Sequence, residues 1–260
     1  MYTLGIDIGS ASSKAVILKD GNDIIASTVI QSGTGTSGPG RVIDEIYKIT
    51  GLTSDDIERT VATGYGRFSF ESANRQVSEI SAHAKGIHMI FPTARTILDI
   101  GGQDVKAIAI DDNGSVQNFF MNDKCAAGTG RFLEVMANIL EIDVNEMAEW
   151  DKKAENPVTV SSTCTVFAES EVISLLSQKK KKADIIRGIH ESVVDRSLGL
   201  IMRTPMADDF VMTGGVARNR GVVSALEREL HKKVLVYDQP QITGALGAAL
   251  YAWNDVQKKI

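Results

Sequence analysis

The segment "DIGSASSKAVILKD" (residues 7–20) decides the fold, because it returns as "DIGGQDVKAIAIDD" (residues 99–112) without a gap. Identical residues stand at matching places in the two copies: Asp7 and Asp99, Gly9 and Gly101, Lys14 and Lys106, Ala15 and Ala107, Asp20 and Asp112. Each copy is typical of a strand, a glycine-containing turn and a second strand. A duplicated unit of this kind predicts two lobes of similar topology that face each other across a cleft. The alternative is a chance likeness of two hairpins.

Composition sets the class of protein. The chain has 260 residues, of which 43% are hydrophobic and 23% charged, so it can bury a substantial core in two lobes. A net charge of −5 gives no general attraction to nucleic acid or anionic lipid. No stretch approaches the roughly 18 uninterrupted apolar residues of a membrane helix, and residues 1–20 lack a signal-peptide pattern. We therefore expect a cytoplasmic protein that binds neither nucleic acid nor membrane.

The remaining elements follow from periodicity and punctuation. Strands are predicted at residues 3–8, 14–21, 24–31, near 61 and at 95–102, and helices around 42–49, at 78–89 and at 243–257. The segment "FVMTGGVARNRG" (residues 210–221) predicts a buried strand, a Gly-Gly turn and a helix start. Its simpler interpretation is an ordinary helix start after a strand.

The repeated turns have a chemistry that suits phosphate. Glycine and small hydroxyl residues let backbone N–H groups approach phosphate oxygens closely, and Ser10, Ser12, Ser13 and Lys14 suit the first such turn. Asp7 and Asp99 end their strands at the predicted cleft, where a carboxylate can hold Mg²⁺. The chain has no G-x-x-x-x-G-K-[ST] loop, so a P-loop enzyme is not supported.

The two cysteines, Cys125 and Cys164, both fall in the predicted second lobe, each just ahead of a helical pattern. In a reducing compartment they are unlikely disulfide partners, which leaves burial, metal ligation or redox chemistry. We predict that both thiols occupy helix N-termini, which stabilise an anion. A cubane iron-sulfur cluster needs four thiolates, and a twofold dimer with Cys125 and Cys164 from each chain provides them. Two inert buried cysteines are the alternative.

With these segments in place, the chain resembles the nucleotide-binding superfamily of actin, hexokinase and the heat-shock chaperone ATPases. The two D-x-G turns are similar to its phosphate loops and "TGG" to its adenosine loop. The resemblance implies a ribonuclease-H-like fold in each lobe, with ATP or ADP and Mg²⁺ between them and hinge closure on binding. It divides the chain into a first lobe of residues 1–93 plus 244–260, which includes the C-terminal helix, and a second lobe of residues 94–243.

Four segments narrow the resemblance: "LDIGGQD" (98–104), "NDKCAAGTGRFLE" (122–134), "SSTCTVFAESEV" (161–172) and "MTGGVARN" (212–219). Together they closely resemble the activators of 2-hydroxyacyl-CoA dehydratases, the family that includes component A of 2-hydroxyglutaryl-CoA dehydratase and the ATPase subunits of benzoyl-CoA reductase. The resemblance implies a homodimer that bridges one 4Fe-4S cluster. It also implies reduction by ferredoxin or flavodoxin, and ATP hydrolysis coupled to delivery of a low-potential electron to a 2-hydroxyacyl-CoA dehydratase. The 2-hydroxyglutaryl-CoA dehydratase is the acceptor that this resemblance leads us to expect.

The resemblance also assigns residues. Cys125 and Cys164 match the cluster ligands. The residues assigned to ATP lie in the first phosphate loop (Ser10, Ala11, Ser12, Ser13, Lys14), the second phosphate loop (Gly101, Gly102, Gln103) and the adenosine loop (Gly214, Gly215, Asn219). Asp7, Asp99 and Gln103 are assigned to catalysis, with Gln103 orienting water or phosphate and Asp104 as a further candidate.

Two other functions fit the same fold. A sugar or carboxylic-acid kinase would use a similar ATP cleft and keep the cysteines as core residues. A non-redox ATP-dependent switch would act on its partners through closure alone. The lysine run at residues 179–182 is either a docking site for an acidic partner or a solvated face.

Overall fold

Two five-stranded sheets of the same topology form the framework of the computed structural model, which describes residues 1–161, 164–205, 207 and 209–258. The first sheet contains β1 (Tyr2–Ile8), β2 (Ser13–Lys19), β3 (Asp23–Ile30), β4 (Ile57–Thr63) and β5 (Arg75–Gln76), in the order β3-β2-β1-β4-β5. The second contains β6 (Thr96–Ile100), β7 (Val105–Ile110), β8 (Val116–Asn122), β9 (Phe210–Thr213) and β10 (Val234–Leu235), in the order β10-β9-β6-β7-β8.

The strand directions repeat as well. β1 pairs antiparallel with β2 and parallel with β4, and β6 pairs antiparallel with β7 and parallel with β9. Asp7 lies opposite Lys14 in the first sheet, and Asp99 lies opposite Lys106 in the second. The predicted duplication of topology is therefore confirmed, and the acidic residue and the lysine are cross-strand neighbours in both copies.

Eight α-helices lie in the described residues: α1 (Gly38–Thr50), α2 (Glu79–Ile90), α3 (Gly130–Ile139), α4 (Met147–Asp151), α5 (Thr165–Ser177), α6 (Lys182–Ile201), α7 (Arg220–Leu230) and α8 (Thr243–Gln257). One helix, α1, connects β3 to β4, whereas four helices, α3 to α6, lie between β8 and β9. The largest apolar core joins the second sheet to this helical insertion and to α7. None of the helices described is long and apolar enough to cross a membrane.

The C-terminal helix α8 packs against the first sheet and α2, where the sequence places it. The contact with β1 is unusually close, because a Cβ on Gly5 would lie 2.0 Å from the Ala245 carbonyl oxygen. Gly247 likewise meets the Ala82 carbonyl of α2, at 1.8 Å from where its Cβ would be. Glycine is thus required at both positions to let the backbones approach. The lobe boundaries at 93/94 and 243/244 stay a prediction.

One prediction about the cysteines is wrong. Cys164 is the N-cap residue of α5, as expected. Cys125 is not at a helix N-terminus, because α3 begins only at Gly130 with Thr129 as its N-cap. Gly128, which separates them, has φ +86, in the left-handed region that an α-helix cannot include. Cys125 therefore lies in a loop that precedes the helix.

Candidate active site

A cavity of about 590 Å³ lies between the two sheets. Most of the residues predicted to bind nucleotide or act in catalysis line it: Asp7, Ser10, Ala11, Ser12, Lys14, Asp99, Gly101, Gly102, Gly214, Gly215 and Asn219. Two do not. Ser13 is fully buried and donates its hydroxyl hydrogen to the Ser32 carbonyl at 2.8 Å, and Gln103 is exposed outside the lining. The roles assigned to these residues stay predictions.

The two phosphate loops approach each other across this cavity. A Cβ built on Gly102 would lie only 2.5 Å from the Cβ of Ala11. Contact at that distance is far inside the separation of two non-bonded carbons, so glycine at 102 is what lets the loops come together. The two lobes therefore meet at the turns that the sequence repeats.

Each copy of the turn holds an acid–lysine pair. Lys14 Nζ lies 3.2 Å from Asp7 Oδ2, and Lys106 Nζ lies 3.2 Å from Asp99 Oδ2. Lys106 also contacts Asp104 Oδ2 at 2.8 Å and Glu79 Oε1 at 3.5 Å. One buried ammonium of the second lobe thus faces three carboxylates, two from the same lobe and Glu79 from the first, which leaves an excess of negative charge beside the cavity.

The charge states in this cluster reinforce one another. Burial alone lowers the pKa of Lys106, but attraction by Asp99, Glu79 and Asp104 outweighs it and holds the pKa above its ordinary value. Burial likewise opposes ionisation of Asp99, yet His83 and Lys106 bring the pKa of that carboxyl below its ordinary range. The lysine is therefore a cation and Asp99 an anion at neutral pH.

Glu79 is a cavity residue that sequence reasoning missed. It is the first residue of α2, and its pKa is raised, first by burial and then by Asp104 and Asp99, with Lys106 opposing. A carboxyl with a raised pKa in a cleft is a candidate for proton transfer. An acidic residue in the first turn of a helix is ordinarily explained by the helix dipole, so nothing in the pattern around Glu79 singles it out.

A buried polar chain connects α2, α8 and β9 at the base of the cavity. Thr213 donates to the Pro240 carbonyl at 2.7 Å, so the 2.7 Å contact between Thr213 and Thr243 is donated by Thr243. Thr243 must then accept from His83 Nδ1 at 2.9 Å. His83 Nε2 lies 3.6 Å from Asp99 Oδ2. These hydrogen bonds fix the orientation of the imidazole that faces Asp99.

The adenosine loop is held by a second network. Asn219 is the N-cap of α7, and its Oδ1 accepts from Gly221 N at 3.0 Å. Its Nδ2 is therefore the donor in the 3.1 Å contact with His190 Nε2, which leaves His190 Nδ1 to donate to Asp151. Burial opposes ionisation of Asp151, but hydrogen bonds from His190 and Arg187 lower its pKa. His190 is fully buried and thus orients Asn219 from behind the cavity.

The cysteines lie away from the cavity lining. Cys125 packs against the large core, and both thiols are partly exposed. Three apolar side chains on α5 are exposed beyond Cys164: Val166 (66%), Phe167 (69%) and Ile173 (52%). Among the described residues, no group of three or more His, Cys, Asp or Glu could hold a metal ion.

The lysine run joins α5 to α6, and two of its side chains bind to other parts of the chain. Lys181 pairs with Glu155, and Lys182 Nζ donates to the Leu140 carbonyl at 2.5 Å. A docking role for this run stays a prediction.

Comparison with known proteins identifies the family to which this chain belongs. The model of the BadF/BadG/BcrA/BcrD ATPase family matches residues 4–252. The chain belongs to that family. It is 62% identical to the activator of lactoyl-CoA dehydratase from Anaerotignum propionicum, an alignment that covers 100% of both chains.

Two solved structures are similar over nearly the whole length. The activator of the 2-hydroxyisocaproyl-CoA dehydratase from Clostridium difficile, with bound ADPNP, has a TM-score of 0.97 at 55% identity and covers 100% of this chain and 98% of its own. Component A of the Acidaminococcus fermentans (R)-2-hydroxyglutaryl-CoA dehydratase has a TM-score of 0.96 at 54% identity and covers 99% of both. The resemblance to dehydratase activators is thereby confirmed.

The fold class is confirmed as well. A ROK hexokinase from Thermus thermophilus has a TM-score of 0.55 at 15% identity, which establishes a shared fold and nothing about activity. The chain is thus an α/β protein of the actin/hexokinase type, with a sheet of the same topology on each side of the cavity.

Proposed function

We propose that this protein is an ATP-dependent activator that delivers a low-potential electron to a 2-hydroxyacyl-CoA dehydratase. Its 62% identity to the activator of lactoyl-CoA dehydratase over the full length of both chains carries the proposal. The similar proteins are named for lactoyl-, 2-hydroxyisocaproyl- and 2-hydroxyglutaryl-CoA dehydratases. The sequence-based expectation of a 2-hydroxyglutaryl-CoA dehydratase as the acceptor therefore becomes a proposal for the wider class.

The cleft between the sheets is the proposed ATP site. Ser10, Ser12 and Lys14 of the first loop would hold phosphate oxygens, while Gly214 and Gly215 let the backbone lie flat against the nucleoside. Position 214 requires glycine, because its φ is +86 and because a Cβ there would lie 2.4 Å from the Ile100 carbonyl oxygen. Asn219, oriented by His190, would donate toward the ribose or base.

The donor set of the cleft fits a magnesium ion. Hard oxygen ligands are what Mg²⁺ takes, and Asp7 and Asp99 present carboxylates from opposite lobes. The excess of carboxylates over lysine around Lys106 favours a cation at this point. When bound, Mg²⁺ supplies charge neutralisation for the phosphates. Glu79, with its raised pKa, is placed to accept a proton from attacking water.

The cysteines fit half of a cubane site. Each chain offers two thiols, and four are required. The apolar side chains exposed on α5 directly after Cys164 are suited to cover one another in a twofold dimer, which would bring the second pair of thiols. Cys125 and Cys164 of both chains would hold one 4Fe-4S cluster, which supplies a one-electron carrier of low potential. Ferredoxin or flavodoxin is the proposed electron donor.

The test is made on protein purified without oxygen. We expect a brown dimer with about four irons per two chains, and ATP-dependent reduction of a 2-hydroxyacyl-CoA dehydratase. Iron content, mass by light scattering and acceptor reduction are measured on the same sample. A colourless protein that transfers phosphate from ATP to a sugar or a carboxylic acid would establish the kinase instead. A colourless protein that only closes on ATP and binds a partner would establish the switch.

A further inference from the structure

The buried hydroxyl of Thr129 stands between the second phosphate loop and the loop of Cys125. Its Oγ1 lies 3.0 Å from the Gly102 carbonyl oxygen and 2.6 Å from the Ala126 carbonyl oxygen. The side chain is fully buried. A hydroxyl has one hydrogen to donate, so only one of the two carbonyls receives it at a time.

Thr129 occupies the N-cap position of α3 but does not use its hydroxyl as a cap. An N-cap threonine ordinarily accepts from a backbone N–H of the first turn, and here no such hydrogen bond forms. The hydroxyl is turned sideways toward two carbonyls that belong to different loops. Helix capping therefore does not explain its position.

The first two backbone amides of α3 donate hydrogen bonds to the second phosphate loop. Gly130 N donates to the Gly101 carbonyl and Arg131 N donates to the Gly102 carbonyl, both at 2.9 Å. Helix N-termini leave such amides without partners inside the helix, so these bonds fasten α3 to the loop. The fit is close, because a Cβ on Gly130 would lie 3.2 Å from the Gly101 carbonyl oxygen.

The other side of Thr129 fixes the turn next to Cys125. The Ala126 carbonyl accepts from Thr129 N at 3.1 Å as well as facing the hydroxyl. Gly128 in this turn is left-handed, and its Cβ position lies 3.2 Å from the Cβ of Arg196 on α6. The turn thus has little room to shift unless its hydrogen bonds rearrange.

We propose that the Thr129 hydroxyl is a positioning group that shifts its hydrogen between the Ala126 and Gly102 carbonyls and so couples nucleotide state to the Cys125 loop. The peptide that carries the Gly102 carbonyl also carries the Gln103 N–H. A phosphate that accepts from that N–H polarises the peptide and makes its carbonyl a stronger acceptor. The hydrogen then moves toward Gly102, and the turn beside Cys125 loses one of its two bonds. This inference rests on the proposed function and on the resemblance, which assigns residues 101–103 to ATP. Gly101 and Gly102 line the cavity, and Gln103, which is outside the lining, would contact phosphate only through its backbone N–H.

The experiment compares Thr129→Val, which keeps the shape and removes the hydroxyl, with Thr129→Ser, which keeps the hydroxyl. The readout is the ratio of chelator-driven iron loss from the anaerobic dimer with and without a non-hydrolysable Mg-ATP analogue. Coupling between two sites typically changes an equilibrium affinity by about 5- to 150-fold, and that range sets the scale for this ratio. We expect the wild type and Thr129→Ser to show a ratio in this range, and Thr129→Val to fall to about 1 while still binding the analogue.

Thr165→Val is the matched control. Thr165 directly follows the other cysteine, and within the described residues its buried hydroxyl has no hydrogen-bond partner. Removing the Thr165 hydroxyl should leave the ratio of iron-loss rates at the wild-type value. If Thr129→Val keeps the wild-type ratio, or if Thr165→Val abolishes it equally, the inference is overturned. If the Thr129 hydroxyl only stabilised the structure, its removal would change the rates of iron loss with and without nucleotide by the same factor.

A wild-type measurement keeps the inference testable if Thr129→Val does not fold. Hydrogen exchange of the Gly130 and Arg131 amides should change when the analogue binds, and unchanged exchange in residues 126–131 would refute the coupling. Protein without iron would reject the proposed cluster but not this inference. In that case the rate of alkylation of Cys125, with and without the analogue, replaces iron loss.

Discussion

The two lobes share a topology but differ in how they use the same turn. Lys14 lies beside one carboxylate and keeps 13% of its side chain exposed, whereas Lys106 lies among three carboxylates with 2% exposed. One helix connects β3 to β4, while the described part of the segment between β8 and β9 contains four helices and both cysteines. The lobes share the sheet and the turns that face the cleft, and they differ in the helical insertion between β8 and β9. On the proposed function, the duplicated parts serve the nucleotide, and the added part holds the thiols that would bind the cluster.

The largest expected effect tests that division. Cys125→Ala and Cys164→Ala should each abolish iron binding, since a cubane cannot keep its full set of thiolates when a ligand is removed from both chains of a dimer. Both variants should still bind nucleotide, because neither cysteine lines the cavity. Iron analysis and nucleotide titration decide the matter. A variant that kept all its iron would show that the insertion does not hold the cluster.

The two lysines should prove unequal for stability. Lys106→Met leaves three carboxylates without their buried cation, and breaking a buried pair in this way costs roughly 3–5 kcal/mol of unfolding free energy. Lys14→Met, the matched variant of the first lobe, should cost about 1–2 kcal/mol, because it leaves one carboxylate without its cation and not three. Urea unfolding measures both. Equal losses would mean that the extra carboxylates add nothing to the role of Lys106.

The aspartates should instead prove equivalent in hydrolysis. Asp7→Ala and Asp99→Ala each remove a carboxylate from one side of the cleft, and loss of one electrostatic partner of a reacting group costs on the order of 10²- to 10³-fold in rate. Iron content should not change in either variant. Gln103→Ala should slow hydrolysis without removing iron if Gln103 orients water or phosphate. If Gln103→Ala hydrolyses ATP at the wild-type rate, Gln103 has no role in hydrolysis, as its place outside the cavity lining would then explain.

The smallest effect concerns the Asp151 network behind the adenosine loop. Because the pKa of Asp151 is lowered in the folded protein, its ionisation stabilises the fold above the ordinary carboxylate pKa of about 4. That contribution is lost as the pH falls through the lower folded-state value. Asp151→Asn should therefore lose less stability than wild type between pH 5 and pH 2, as measured by denaturation at each pH. Parallel pH profiles would contradict this sign.

Sequence reasoning reached the parts of this protein that depend on local pattern. The repeated turns, Asp7 and Asp99, and the glycines of the adenosine loop were identifiable because strand ends and glycine turns leave a signature in neighbouring residues. The start of α5 at Cys164 was predicted for the same reason. The register that pairs Lys106 with Asp99 could also have been deduced from the match of Lys106 to Lys14.

The contacts that sequence reasoning missed join residues far apart in the chain. His83 meets Thr243, and His190 meets Asn219, only because helices from separate segments pack together. The error at Cys125 has another origin. The apolar stripe of α3 is helical, but it does not show where the helix begins, and a left-handed Gly128 delays the start. Helix boundaries depend on a single backbone dihedral, to which periodicity is insensitive.

The meeting of Gly102 with Ala11 has a consequence for the history of the family. Because a Cβ at 102 would lie 2.5 Å from the Cβ of Ala11, the two positions cannot both carry a side chain while the loops stay this close. A lineage that gained alanine at 102 would need to lose its methyl group at 11, or accept a wider gap between the lobes. Residues 11 and 102 should therefore change together among homologues. A homologue with a side chain at 102 should have glycine at 11.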